Sequence, residues 1–102
     1  MYTLITGAAS AEAYRLKSAL NREGVILGDY LELPEVLVQS GMVIALPNPK
    51  NTSYTHQVLA LCLDKAVNRI YVLREEEIEL LLNAKQLFEE YDIQIEAADD
   101  KV

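Results

Sequence analysis

Short apolar runs alternate along this chain with longer stretches in which apolar positions recur at helical spacing, the mark of strands joined through helices. The first run, from Tyr2 to Thr6, meets Gly7 and gives way to a stripe of Ala9, Ala13, Leu16 and Leu20, with Glu12, Arg15, Asn21 and Arg22 lying off it. This predicts a helix of about four turns, closed by Gly24 where a glycine C-cap is favoured. Val25 to Tyr30 reads as a second strand with Asp29 at its end, and Glu35 to Ser40 as a brief helical or irregular segment between Pro34 and Gly41.

The second half repeats the alternation. Met42 to Leu46 is a continuous apolar run cut off by Pro47 and predicts the third strand, followed by the turn-forming loop Asn48 to Asn51. Thr52 to Asp64 reads as a helix with Asn51, Thr52 or Ser53 as N-cap. Its Val58 to Leu63 core is apolar nearly all round, which predicts burial on more than one side. Arg69 to Leu73 predicts strand four. Glu75, Glu76 and Glu77 fall in the first turn of a last helix, where carboxylates complement the exposed amides. One broad stripe, Leu80, Leu81, Ala84, Leu87, Phe88 and Tyr91, runs the length of that helix, and Ile93 to Ala97 alternates apolar and polar as an edge strand does. The order βαβαβαβαβ predicts an α/β, three-layer, Rossmann-like domain with a five-stranded parallel sheet in order 3-2-1-4-5.

Composition narrows the function classes. A chain of 102 residues with 51% apolar and 25% charged residues reads as one soluble domain. No apolar run approaches the length of a membrane span, and no basic patch followed by a long apolar stretch precedes the first strand, so a cytoplasmic protein is expected. A net charge of −7 with only nine Lys and Arg argues against nucleic acid as a partner. Cys62 is the single cysteine, which excludes an internal disulfide, and the one histidine, His56, has no second ligand at metal-binding spacing.

The candidate chemistry gathers at strand ends. Gly7 and Asp29 are spaced like the first glycine and the ribose-binding acid of a dinucleotide fingerprint, but its second and third glycine positions fall on Ala9 and Glu12. None of the six tyrosines has a lysine four residues on, as a short-chain dehydrogenase would require. Gly7 therefore serves either a ligand or only a tight strand-to-helix turn. Ser10 either caps the first helix or binds an anion, and no base is paired with it. His56 reads as a solvent-facing or capping residue, and Cys62 as core filler. Asp29, Glu75 and Glu77 near strand ends would make an amine-attracting acidic cleft beside Ser10, or only an acidic rim. The candidate ligand-binding set is Gly7, Ala8, Ser10, Asp29 and Glu75, with no catalytic and no metal-binding residue.

With its elements in order, the chain resembles the N-terminal pre-ATP-grasp domain of ATP-grasp enzymes, the carboxylate–amine ligase group that includes carbamoyl-phosphate synthetase-like proteins. The resemblance is carried by Leu4-Ile-Thr-Gly7-Ala-Ala-Ser10 and the helix behind it, by Asp29, Pro47 and Ser53-Tyr54, by Leu61-Cys-Leu-Asp-Lys65, and by Glu75, Glu77 and Phe88 to Ile93. It implies a Rossmann-like domain that helps to hold substrate or a neighbouring subunit. The ATP-clamping lysines and metal-binding carboxylates of the family's ATP-binding fold are not among these residues, so ligase activity is not expected of them. Arg74 stands where the family presents a capping hydroxyl or acid after strand four. The expectation is a non-catalytic, stand-alone domain that binds a small ligand or a protein partner at the C-terminal edge of its sheet and forms a homodimer. The alternatives are a degenerate NAD(P)-type enzyme binding a nucleotide cofactor, or an accessory subunit of a separately encoded ATP-grasp ligase.

Overall fold

Because successive strand residues point to opposite faces of a sheet, nearly every strand here divides its apolar side chains between two cores. Leu4, Ile70, Val72 and Ile95 face one side, while Ile5, Leu27 and Val43 face the other. The computed structural model of the chain describes residues 2–8, 11–20, 24–30, 35–39 and 43–97. In chain order the elements are β1 (Tyr2–Ile5), α1 (Ala11–Leu20), β2 (Val25–Asp29), α2 (Glu35–Gln39), β3 (Val43–Ala45), α3 (Tyr54–Asp64), β4 (Val67–Val72), α4 (Glu75–Asn83), α5 (Lys85–Glu89) and β5 (Gln94–Ala97). All strands pair in parallel, in the order β3-β2-β1-β4-β5. The expected α/β architecture and strand order are therefore the observed ones.

The larger core packs Tyr54, Val58, Leu59 and Cys62 of α3, Leu81 of α4 and Phe88 of α5 against the sheet. The smaller one sets Ala13 of α1, with Leu16 and Leu20 beside it, on the opposite face. Helices thus cover both faces, as parallel sheets require.

Several boundaries differ from the sequence reading. The described part of α1, Ala11–Leu20, falls inside the expected helix. Ser53 is the N-cap of α3 but makes no side-chain cap bond; the turn before it is closed by Asn51, whose Oδ1 accepts from the Ser53 amide and whose carbonyl accepts from the Tyr54 amide. The apolar run of α3 is buried on one side only: Val58, Leu59 and Cys62 point inward, and Ala60 and Leu63 are exposed. β4 starts at Val67, earlier than expected. The last helix is two helices, interrupted at Ala84, whose φ of −103° and ψ of 11° leave the helical path. Tyr91, expected on the buried stripe, lies beyond α5 and is half exposed. The expected strand start at Met42, the helix residues Ala9, Asn21 and Arg22, and the tail from Ala98 lie outside the described residues.

Candidate functional site

The C-terminal ends of the strands meet along one edge, where open α/β sheets bind ligands. Gly7 makes the exit from β1 with a φ of 75°, a conformation that costs an L-residue with a Cβ. The Thr6 amide donates to the Tyr71 carbonyl at 3.0 Å, and the Leu73 amide donates to Thr6 Oγ1 at 3.2 Å, which seals β1 to β4 at the switch point of the sheet. On the other side the Ala8 amide donates to the Gly28 carbonyl at 3.0 Å. That amide, an expected anion donor, is thus already engaged inside the fold. Gly28 allows close approach: a Cβ there would lie 3.0 Å from Leu46 Cγ, which would have to give way.

Asp29 ends β2 and is fully buried. Arg74, following β4, reaches it with Nε to Oδ1 at 3.1 Å and Nη2 to Oδ2 at 2.8 Å, a two-pronged pair that spans the end of β1. The guanidinium carbon also stands 5.4 Å from the centre of the Tyr30 ring. Asp29 is therefore not the open, ribose-binding acid of the dinucleotide reading: its carboxylate is sealed and held by a cation.

Two further carboxyls stand next to each other in the first turn of α4. Glu76 is exposed and accepts the Tyr30 hydroxyl at 2.6 Å, a bond that holds its carboxyl below the ordinary value and the Tyr30 phenol above its own. Glu77 shares the inward face of α4 with Leu81 and is fully buried. It accepts the Tyr54 hydroxyl at 2.6 Å on Oε1, while Oε2 has no partner among the described residues. Burial raises the Glu77 carboxyl and pushes the Tyr54 phenol up as well.

An open cleft of about 330 Å³ lies beside these groups, lined by Tyr30, Asn48, Pro49, Lys50, Glu76 and Leu80. Its residues come from the segments after β2, β3 and β4, so it belongs to the same edge. The Lys50 amide donates to Asn48 Oδ1, which shapes the turn that carries both. A larger hollow of about 650 Å³ runs along β5, between Lys85 and Glu89 of α5 and Glu96, at the side of the sheet instead of its strand ends.

Of the expected ligand-binding set, Gly7, Ala8 and Asp29 do come together, but as the internal bracing of the edge. Glu75 points outward and is exposed, apart from the cleft. Ser10 lies outside the described residues. The acidic cleft of Asp29, Glu75 and Glu77 does not form, because two of its members are buried and the third faces away. His56 is exposed on α3, and Cys62 is fully buried, its thiol pushed up to about 12 by that burial. Sequence reasoning missed Tyr30, Lys50 and Glu76 as cleft residues and Arg74 as the partner of Asp29. The one signal for Arg74 was its place directly after β4, on the edge to which Asp29 also belongs. No helix is long and apolar enough to cross a membrane among the described residues, and no group of acids, histidines and cysteines there could hold a metal ion. No protein-family model and no curated protein matches the chain. The class that the geometry defines is thus a three-layer α/β domain with an internally braced carboxyl edge and a small cleft beside it.

Proposed function

We propose that this Rossmann-like domain, of the pre-ATP-grasp kind it resembles, binds a small polar ligand in the cleft between Tyr30, Lys50 and Glu76 and performs no covalent chemistry itself. The cleft is the observation that carries the reading. Its 330 Å³ lies within the range of about 300 to 1,000 Å³ usual for small-ligand sites, and Pro49 and Leu80 supply apolar wall beside groups of both charges. Against catalysis by the described residues stand the engaged state of Asp29, the burial of Cys62 and Glu77, and the position of His56 on the exposed side of α3, outside the cleft.

The dinucleotide reading finds less support, because the Ala8 amide and the Asp29 carboxylate are both occupied within the fold. For a homodimer the α3 run offers only its outward residues, Ala60 and Leu63, since Val58, Leu59 and Cys62 face inward. The test is an amide-resolved NMR titration of the purified protein with NAD, NADP, ATP, AMP and a panel of small amines, carboxylates and amino acids. Shifts concentrated on Tyr30, Asn48, Lys50 and Glu76 with a member of the small-molecule panel are expected. Shifts centred on Gly7 and Gly28 with a dinucleotide would replace this reading, and silence in the cleft across the millimolar panel would remove it.

A further inference from the structure

A carboxyl in the first turn of a helix ordinarily lies in water and complements the free amides there; Glu77 does not, being fully buried on the inward side of α4. Tyr54 opens α3 and Glu77 stands in the first turn of α4, so the 2.6 Å bond between them ties together the starts of two successive crossover helices. The charged and titratable groups that bear on Glu77 are Tyr54 from α3, Asp29 from β2, Arg74 from the turn before α4, and Glu76 beside it on α4. Arg74 directs Nε and Nη2 to Asp29. An ionised Glu77 would thus add a second buried negative charge to a cluster that holds one guanidinium. Its Oε2 would also carry that charge without a hydrogen bond from any described residue. Burying a charge without partners costs far more than burying a neutral polar group.

We propose that Tyr54 and Glu77 form a proton-dependent latch: with its carboxyl protonated, Glu77 holds the first turn of α4 against α3, and loss of that proton releases the turn. The upward displacement of the Glu77 titration by burial agrees with this. Its sign follows from linkage. A carboxyl raised in the folded state contributes stability that is complete below the ordinary carboxylate value and is lost as the pH climbs through the folded value. Glu76 and Leu80 of α4 also wall the cleft, so release would alter that wall; this consequence alone rests on the ligand-binding reading, and the latch does not.

The deciding experiment is a side-chain carboxyl NMR titration of the full chain, with α4 amide exchange measured across the same pH range and corrected for intrinsic rates. The expected result is a Glu77 resonance titrating above that of Glu76, with opening of the α4 first turn rising by up to about tenfold per pH unit between the ordinary carboxylate value and that midpoint and levelling off above it. Glu77→Gln, which keeps an acceptor for Tyr54 and cannot ionise, is expected to abolish the pH dependence, and Glu75→Gln at the exposed neighbour to retain it. A Glu77 titration level with that of Glu76, or a pH dependence that survives in Glu77→Gln, overturns the latch. Should Glu77→Gln fail to fold, the titration and exchange profile of the unsubstituted protein decide by themselves. A cleft that binds no ligand leaves these readouts unchanged.

Discussion

Glu76 and Glu77 are neighbours in one helical turn, and each accepts a tyrosine hydroxyl at 2.6 Å, from Tyr30 and Tyr54 respectively. Their carboxyls nevertheless move in opposite directions. At the exposed Glu76 the hydrogen bond is the largest influence and favours the charged form. At the buried Glu77 the loss of water outweighs an equally short bond and favours the neutral form. A hydrogen bond of given length therefore does not fix the charge of the group it holds; the water around the pair does. The outer side of the α4 first turn presents a dependable negative charge to a cleft, while its inner side carries a charge that depends on pH.

The largest disturbance to this contrast comes from Asp29, whose buried charge raises Glu77 while engaging the cation that would lower it. Asp29→Asn is expected to destabilise the fold by about 3–5 kcal/mol, because removing one member of a buried ion pair strands the other. The lower end is expected, since Arg74 remains a quarter open to water; urea denaturation measures it. In the same variant the Glu77 titration should fall as Arg74 is freed, which turns the contrast with Glu76 toward equality. Tyr54→Phe removes the hydroxyl that, among the described residues, donates to the inner carboxyl and is expected to cost about 1–3 kcal/mol, with the Glu77 titration moving further up. Tyr30→Phe is the mildest: folding stability should hardly change at this exposed pair, while the Glu76 carboxyl climbs back toward its ordinary value in an NMR titration. If Glu76 stayed low without the Tyr30 hydroxyl, the difference between the two sides of the turn would need another cause.

The sheet was legible in the sequence because the first four strands are short, mainly apolar runs bounded by Gly7, Asp29, Pro47 or Arg74, the fifth alternates as an edge strand does, and the crossover rule leaves few ways to order them. The break at Ala84 was not, since Leu81, Ala84, Leu87 and Phe88 keep helical spacing through it and alanine favours helix. At the edge, Asp29 could be found by its position at a strand end. Its neutralisation could not, because Arg74 lies beyond another strand, in the turn before α4, and side-chain pairing over that distance leaves no periodic trace. The three glutamates read as helix chemistry, which holds for Glu75 and Glu76. Only the angular position of Glu77 above Leu81 marks it for burial, and that depends on how α4 rolls onto the sheet.

The central place of β1 has a consequence for how the chain assembles. β1 pairs with β2 early in the sequence, but its other side waits for β4, with Thr3 aligned to Arg69. Until β4 arrives, a half-sheet of β3, β2 and β1 would carry an open apolar edge along Tyr2–Ile5, the kind of surface on which growing chains misassociate. Closing that edge requires contact across most of the sequence, so the β1–β4 junction is the step at which slow folding and aggregation would compete.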